Sequence, residues 1–338
     1  MIEYADVVVG CCWGDEGKGK VTASLASKLN DDGSSFYSAV ARWAGGNNAG
    51  HTVFKGGKEY KTHLIPSGVF YGIKSIIGPG CVLNVNSFLE EVSYLDDAGF
   101  DTSLIKVSPK CHIITDEHIT YDKRNLAGKL GTTSKGIAPA YSSKAARTGM
   151  LAKDVLDDKY IWDEMLEGKV LCEGAQGVWL DMDYGLYPYV TSSTTLPYAA
   201  CSIGFPPQKI RNIWGVAKAY DTRSGEDPRF PSSLFDDIEL SKVGDIGKEY
   251  GVTTGRRRKV NWLNLDDLVR SINLSGVNQL VINKCDILEC ANLYRVIHKN
   301  EKISFSSFAK MKLHIDDVLS GSCPMLTNVL YSYSPENI

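Results

Sequence analysis

The chain has 338 residues, of which 43% are hydrophobic and 23% are charged, a composition typical of globular proteins. A formal net charge of -3 gives no general affinity for nucleic acid, and no apolar stretch reaches the length of a membrane span, so we expect neither as a partner. The first residues do not resemble a signal peptide, and the nine scattered cysteines indicate reduced thiols in a cytoplasmic protein.

The first half of the chain is predicted to alternate strands and helices. An apolar run at residues 6–9 predicts a buried strand, and the glycine-rich turn after it leads into a helix from about residue 19 to residue 29. The segment VFKGGKEY predicts a hairpin. A further helix is expected to begin near Ser87, with Ser87 and Glu90 as a capping box, and to end at Gly99.

The second half repeats this alternation. Val170–Cys172 predicts a strand before EGAQG, Ile210–Tyr220 is another apolar run, WLNLDDLVRSINLSG predicts a helix that ends at Gly276, and Gln279–Ile282 predicts a strand before NKCD. The pattern predicts an α/β fold with a large, mostly parallel central sheet flanked by helices, in one domain over residues 1–338. Because ligands bind beyond the carboxyl ends of such strands, we expect GDEGKGK, EGAQG and NKCD to converge.

The segment GCCWGDEGKGKV is close to a phosphate-binding loop. From Gly14 to Lys20 it has the P-loop spacing, but Val21 stands where a metal-binding Ser or Thr is expected. Two acids, Asp15 and Glu16, lie where the loop should meet an anion. Carboxylates are tolerable there if Mg²⁺ lies between them and the phosphates. A glycine turn that serves packing alone is the alternative, and the two lysines argue against it.

Four further segments carry polar side chains suited to ligands. GGNNAGHT surrounds His51 with small residues, although a lone histidine is more often structural. The segment from Gly131 to Gly149 is rich in hydroxyls and cations, which suits an anion-binding loop or a surface loop. GVTTGRRRK is either a solvated basic face or a carboxylate clamp. NKCD is similar to the guanine-reading element of GTPases.

Together, and in this order, these segments resemble the adenylosuccinate synthetase family. The matching stretches are WGDEGKGK, GGNNAGHT, HLIPSG, GTTSKGIAPAY, EGAQG, YPYVTSS, TTGRRR and NWLNLDDL, and with NKCD they span Trp13 to about Asp286. The resemblance implies a P-loop-NTPase-like sheet and a cytoplasmic homodimer (in the host cytoplasm if the chain is viral). It also implies a ligase that joins L-aspartate to C6 of IMP through a 6-phosphoryl intermediate, driven by GTP or ATP with Mg²⁺.

The resemblance also implies a role for individual residues. Asp15 is expected to be the base and, with Gly50, a ligand of Mg²⁺, while His51 and Lys18 stabilise the transferred phosphoryl group. Donor-nucleotide residues are expected at Gly14, Glu16, Gly17, Gly19, Lys20, Lys284 and Asp286. Substrate residues are expected at Asn48, Thr133 and Thr191 for the 5′-phosphate, Gln176 for the purine, Arg147 from the partner subunit, and Thr253, Thr254, Arg256 and Arg258 for L-aspartate.

Two stretches depart from the family pattern. Where the family has TRVGAGPFPTE, this chain has TRSGEDPRFPSS, and the family element STGP is replaced by SYSP. The first change raises the alternative of a phage-type enzyme that uses dGMP or GMP, with Glu226 or Asp227 accepting a hydrogen bond from the 2-amino group. The second leaves GTP and ATP open as donors. A nucleotide-binding protein without catalysis is a third possibility, against which the intact Asp15, Lys18 and His51 argue.

Overall fold

The computed structural model describes residues 1–48, 50–251, 255–336 and 338. The described strands are β1 (Ile2–Gly10), β2 (Ala39–Arg42), β3 (His51–Lys55), β4 (Lys58–Thr62), β5 (Lys74–Ile77), β6 (Val82–Leu83), β7 (Ile105–Val107), β8 (His112–Ile113), β9 (Gly168–Glu173), β10 (Ile210–Lys218), β11 (Tyr220–Arg223), β12 (Lys259–Asn264), β13 (Gln279–Asn283), β14 (Arg295–His298), β15 (Glu301–Ser304) and β16 (Asn328–Tyr331). The described α-helices are α1 (Lys18–Ala26), α2 (Val85–Asp97), α3 (Asp116–Tyr121), α4 (Ala127–Leu130), α5 (Ile137–Ala146), α6 (Ile238–Ile246), α7 (Leu265–Ser275), α8 (Cys285–Ala291) and α9 (Phe308–Ser322).

An 8-stranded sheet forms the centre of the fold, in the order β16-β13-β10-β1-β9-β2-β5-β7. Every pairing in it is parallel. Residues 5–10 of β1 are all buried, because apolar side chains cover both faces of the sheet. The prediction of a large, mostly parallel sheet flanked by helices is confirmed.

The strand register brings several carboxyl ends together at one edge of this sheet. Glu173 of β9 pairs with Val8 of β1 and with Arg42 of β2. On the other side, Lys218 of β10 pairs with Asn283 of β13. The loops that follow these strands therefore emerge side by side, which is the position expected for a ligand in a parallel sheet.

Three smaller sheets of the described residues lie outside the central one, and one of them is the pair β6-β8. A 4-stranded sheet in the order β11-β12-β14-β15 carries the basic segment into β12, and β3 pairs with β4 as an antiparallel hairpin. The hairpin turn is formed by Gly56 and Gly57, whose φ angles of 58° and 73° require glycine-like freedom. The predicted hairpin is thus confirmed, and it places His51 at the start of β3.

Three predicted element boundaries are corrected. The first helix ends at Ala26, and α2 begins at Val85 with Asn84 as its N-cap, because the Asn84 side chain accepts a hydrogen bond from the Ser87 N–H at 2.9 Å. The capping box at Ser87 is therefore wrong. The first residues of WLNLDDLVRSINLSG belong to strand β12, and the helix that follows them ends before Gly276 as predicted. None of the described helices combines the length and apolar character needed to cross a membrane.

Candidate active site

The loop between β1 and α1, residues 11–17, turns sharply over the end of the sheet. The φ angles of Gly14, Asp15 and Gly17 are 86°, 61° and 94°, so three residues have left-handed backbone conformations. A Cβ atom at Gly17 would lie 2.8 Å from Asn283 Nδ2, and one at Gly14 would lie 3.6 Å from the Cα of Gln176. The loops that follow β1, β9 and β13 therefore meet, as the sequence predicts.

The carboxylate of Glu16 holds this loop together from inside. It is buried and accepts hydrogen bonds from the backbone N–H groups of Cys12 at 3.1 Å and Gly14 at 2.8 Å. The ammonium group of Lys18, also buried, donates to the second carboxylate oxygen at 2.7 Å. A buried charge is stable only when it is paired and hydrogen-bonded. These contacts meet that requirement, and through them the carboxylate stabilises the conformation of the loop. Binding of the donor nucleotide at Glu16 stays a prediction, and the backbone is the part expected to make the contact because the carboxylate is engaged inside the loop.

Asp15 is the acid that faces outward, with 33% of its side chain exposed. Arg258 Nε lies 2.8 Å from Asp15 Oδ2, and the Ser224 hydroxyl donates to the same oxygen at 3.0 Å. Burial alone would raise the pKa of Asp15, but Arg258 and then Lys218 outweigh that effect and hold the pKa below its usual value. Asp15 is therefore ionised at neutral pH, the form required of a base or of a metal ligand.

A buried group of charges surrounds Arg258. Glu249 accepts hydrogen bonds from Arg258 Nη1 at 2.6 Å, Lys218 Nζ at 2.9 Å and the Tyr220 hydroxyl at 2.7 Å. Burial opposes ionisation of Glu249, yet Lys218 and Arg258 lower its pKa to about 2. Sequence reasoning selected Arg258 and missed Glu249 and Lys218. The only signal for Lys218 was a charge at the end of an apolar strand.

The ring of His51 packs against Glu173 at the end of β9. His51 Nδ1 contacts Glu173 Oε1, and the Ser67 N–H donates to the other carboxylate oxygen at 2.9 Å. Burial lowers the pKa of His51 more than Glu173 raises it, so the ring is neutral at pH 7. Burial disfavours the charge on Glu173, but His51, Arg42 and the Ser67 N–H together outweigh it, and the pKa of Glu173 falls to about 2. With Nδ1 against the carboxylate, Nε2 is the nitrogen left for a ligand. Glu173 lies within the predicted EGAQG segment, but its role was not anticipated.

The side chain of Gln176 is buried beside the loop without a hydrogen-bond partner. Its backbone φ is 56°, and neither polar atom of its amide is bonded within the described part of the chain. Its Oε1 would lie 3.6 Å from a Cβ at Gly45, in the GGNNAGHT segment. A buried amide without a partner is costly, so this one is suited to a ligand. Gly19 lets the same segment approach, because a Cβ there would lie 3.1 Å from His51 Cβ.

The residues predicted for the 5′-phosphate lie in separate loops. Thr133, with Ser134, Lys135 and Lys123, lines a cavity of about 280 Å³ that also contacts Asn47. The neighbouring Asn48 accepts a hydrogen bond from the Gly46 N–H at 3.3 Å. Thr191 is half-buried beyond 3₁₀ turn Val178–Leu180, where its N–H donates to the Leu180 carbonyl oxygen at 2.8 Å. Thr133 therefore lines this cationic cavity, and Asn48 directly follows its lining residue Asn47.

The predicted donor residues lie on the other side of the loop. Lys20 Nζ donates to Ser332 Oγ at 2.5 Å and to the Ser334 carbonyl oxygen at 3.0 Å, so the SYSP element contacts the phosphate loop. Burial lowers the pKa of Lys20 to about 8, although Asp286 raises it. Lys284 Nζ donates to the Gly247 carbonyl oxygen at 3.1 Å. Lys20, Lys284 and Asp286 thus lie at the same end of the sheet.

Five predicted residues remain, of which three lie within the described part of the chain. Arg147 is exposed at the end of α5 with a φ of 63°, and Gly50 is half-buried just before β3. Arg256 Nη1 donates to the Gly131 carbonyl oxygen at 3.1 Å, which joins the basic segment to the predicted anion-binding loop. Thr253 and Thr254 lie outside the described residues.

The two acids of the divergent TRSGEDPRFPSS segment have structural partners. Asp227 is buried and accepts hydrogen bonds from Arg229 Nε at 3.1 Å and Nη2 at 3.0 Å. Glu226 forms an ion pair with Lys259 at 3.0 Å. Because its carboxylate is already paired inside the loop, the structure adds no support to the hypothesis that Asp227 reads a purine 2-amino group, which stays a prediction.

Comparison with known proteins identifies the family of this chain. The model of the family described as adenylosuccinate synthetase matches residues 7–167 and 157–305. This chain belongs to the adenylosuccinate synthetase family. The protein is accordingly a carbon–nitrogen ligase of purine biosynthesis. The adenylosuccinate synthetase of Listeria welshimeri is 40% identical over 83% of this chain and 77% of its own, and that of Shouchella clausii is 39% identical over the same shares.

Solved structures of two synthetases share the fold. The fully ligated adenylosuccinate synthetase of Plasmodium falciparum is similar with a TM-score of 0.81 and 25% identity over 98% of each chain. The succinoaminodeoxyadenylate synthetase of cyanophage S-2L, solved with dGMP and with dATP as an energy donor, has a TM-score of 0.73 and 19% identity over 99% of this chain and 94% of its own. The second likeness concerns the fold alone.

Proposed function

We propose that this synthetase joins the amino group of L-aspartate to C6 of IMP, using GTP or ATP as the phosphoryl donor. The products are adenylosuccinate, a nucleoside diphosphate and phosphate. The observation that carries the proposal is the position of Asp15, an ionised and partly exposed carboxylate on a phosphate-type loop, with Arg258 on the same oxygen. This is a base adjacent to a carboxylate-binding cation, at the end of a parallel sheet.

Asp15 removes the proton from N1 of the purine, so that O6 attacks the γ-phosphate. O6 then carries the phosphoryl group and becomes a leaving group, which the amine of L-aspartate displaces at C6. Neutral His51, fixed at Nδ1 by Glu173, offers Nε2 to the departing diphosphate. Lys18 supplies positive charge to the transferred group from within the loop.

Mg²⁺ fits the residues present when the nucleotide completes its site. Among the described residues no group of three or more His, Cys, Asp or Glu side chains is arranged to hold a metal ion. Mg²⁺ in nucleotide sites takes one or two carboxylates and completes its shell with phosphates and water. Asp15 and the Gly50 carbonyl group would hold it, and bound Mg²⁺ would neutralise phosphate charge.

The remaining substrates are assigned by position. Asn48, Thr133 and Thr191 would bind the 5′-phosphate of IMP, and the unpartnered amide of Gln176 supports a contact with the purine. Arg256 and Arg258, with Thr253 and Thr254, would bind L-aspartate. The backbone of Gly14, Glu16, Gly17 and Gly19, with Lys20, would bind the donor phosphates. Lys284 and Asp286 would face the donor base.

We further propose a cytoplasmic homodimer, in which Arg147 reaches the 5′-phosphate of the partner subunit. Arg147 is exposed at the surface, as a residue that acts in the neighbouring subunit must be. All nine cysteines are free thiols, which agrees with a reducing compartment. We expect no nucleic-acid or membrane partner.

A second acceptor, dGMP or GMP, is favoured by Ser224. The Ser224 hydroxyl lies 3.0 Å from Asp15 Oδ2 and, while donating to it, keeps lone pairs that can accept a hydrogen bond from a 2-amino group next to N1. The family residue at this position, valine, offers no acceptor. Replacing Ser224 with Val should then reduce use of dGMP relative to IMP by roughly tenfold, while Thr should preserve it.

Phosphate release with IMP or dGMP, each with GTP or ATP, tests both candidates. IMP is expected to give the higher kcat/KM and to require L-aspartate for net turnover. Higher kcat/KM with dGMP would select the second candidate. Hydrolysis of the nucleoside triphosphate that needs neither L-aspartate nor an acceptor would exclude both candidate functions. Asp15→Asn should lose at least roughly 10²–10⁴-fold in kcat, and near-normal turnover would remove Asp15 as the base.

A further inference from the structure

Glu249 lies behind the basic segment and is not itself one of the residues expected to bind a substrate. Its side chain is only 1% exposed, and both oxygens are used: Oε2 by Arg258 Nη1 at 2.6 Å, and Oε1 by the Tyr220 hydroxyl at 2.7 Å. Lys218 Nζ lies within 3.0 Å of Oε1 and 2.9 Å of Oε2. One carboxylate therefore accepts hydrogen bonds from three side chains: Lys218 of β10, Tyr220 of β11 and Arg258 of the basic segment.

Arg258 is divided between two carboxylates. Its Nη1 donates to Glu249, while its Nε lies 2.8 Å from Asp15 Oδ2. Its backbone N–H also donates to the Glu249 carbonyl oxygen at 2.9 Å, so backbone and side chain are both fixed by this residue. Neither of these two contacts uses Nη2, whose N–H groups can therefore donate to a third carboxylate.

The four charges of this cluster balance one another. Lys218 and Arg258 carry two positive charges, and Glu249 and the partly exposed Asp15 carry two negative ones. Buried ion pairs contribute little net stability compared with apolar packing, so stability alone is a weak reason for such a cluster beside the loop. Without Glu249, the guanidinium of Arg258 would have Asp15 as its main anionic partner, and an incoming carboxylate would have to compete with it.

We propose that Glu249 is a positioning residue for L-aspartate. It holds the guanidinium of Arg258 where that group meets the substrate carboxylate, and it limits the pairing of Arg258 with Asp15. The proposal rests on the proposed function, in which Arg258 binds L-aspartate. No proton or covalent bond changes at Glu249.

Steady-state kinetics of Glu249→Gln test the proposal. The KM for L-aspartate should rise at least tenfold, while the KM values for IMP and the nucleoside triphosphate stay within about twofold. The matched control is Asp245→Asn in the same segment, whose carboxylate forms an exposed ion pair with Arg257 at 2.7 Å. That control should leave all three KM values unchanged.

A milder variant keeps the test open if Glu249→Gln does not fold. Tyr220→Phe removes only the hydroxyl that donates to Glu249, and it should raise the KM for L-aspartate by about two- to fivefold. An unchanged KM for L-aspartate in Tyr220→Phe and in any folded Glu249→Gln protein would overturn the proposal, as would an equal rise for all substrates. Arg258→Leu distinguishes a failure of the proposed function from a failure of the role proposed for Glu249. A normal KM for L-aspartate in Arg258→Leu would contradict the assignment of Arg258, whereas damage there with none in the other variants would contradict only the role of Glu249.

Discussion

Replacing Glu173 with Gln tests whether the Glu173 carboxylate fixes the ring of His51 for catalysis. The exchange keeps the shape of the side chain and removes its charge, and the pair is almost completely buried, with side-chain exposures of 5% for His51 and 0% for Glu173. A hydrogen bond to a charged partner contributes about 1.5–3 kcal/mol, and a neutral one about 0.5–1.5 kcal/mol. The difference, about 1–1.5 kcal/mol, corresponds to about a tenfold loss in kcat if the orientation of the ring serves the transition state.

The same variant has a predictable pH dependence of stability. Because the pKa of Glu173 falls from 4.5 to about 2 on folding, its stabilising contribution is present above pH 4.5 and is lost as the pH falls toward 2. Thermal unfolding of Glu173→Gln should therefore differ most from the unmodified protein above pH 4.5, and the two curves should converge in acid.

The matched control for this experiment is Glu59→Gln. Glu59 pairs with Lys61 at 2.9 Å on the surface, with 44% of its side chain exposed, and its loss should change neither kcat nor the melting temperature measurably. A Glu173→Gln enzyme with normal kcat would refute the reasoning that the carboxylate fixes His51 for catalysis.

Three other predictions concern separate features. Burial raises the pKa of Asp221 from 3.8 to about 7, so its contribution to stability is largest below pH 3.8 and declines as the pH rises through 7. The melting temperature of Asp221→Asn should therefore rise relative to that of the unmodified protein between pH 3.8 and 7, and a difference that stays constant with pH would contradict this. Mixing inactive Arg147→Leu and Asp15→Asn proteins should restore activity through hybrid dimers, and no recovery despite demonstrated subunit exchange would place the whole site in one chain. Asp227→Ala should lower the melting temperature because it leaves Arg229 and Arg223 without their buried partner, with no change in the ratio of kcat/KM for IMP to that for dGMP. A shift of this ratio toward IMP would instead support a contact between Asp227 and the 2-amino group.

Local patterns in the sequence predicted the elements that depend on nearby residues. The apolar run before Gly10, the paired glycines of the hairpin and the glycine after Ser275 each act within a few residues, so the strand, the turn and the helix end were predictable. The end of α1 and the N-cap of α2 were missed because several nearby polar residues fit a helix end equally well.

The partners of the predicted site residues could not be read from the chain. Glu173 reaches His51 through the register of the parallel sheet and the path of the loops, which no local spacing encodes. Glu249 reaches Arg258 through an antiparallel bridge between Tyr250 and Arg257, which the sequence pattern did not reveal. The roles of the two loop acids also depend on orientation. Asp15 and Glu16 are adjacent in sequence, yet one faces outward and the other is buried beneath the loop.

The most direct test of the proposed chemistry follows the oxygen at C6 of IMP. If Asp15 promotes attack of O6 on the γ-phosphate, IMP labelled with ¹⁸O at C6 must transfer its label to the released phosphate when L-aspartate, GTP and Mg²⁺ are present. Mass spectrometry should find one ¹⁸O atom in each phosphate produced, and none with Asp15→Asn beyond its residual turnover. Turnover that yields adenylosuccinate with unlabelled phosphate would contradict the 6-phosphoryl intermediate and the role of Asp15 built on it.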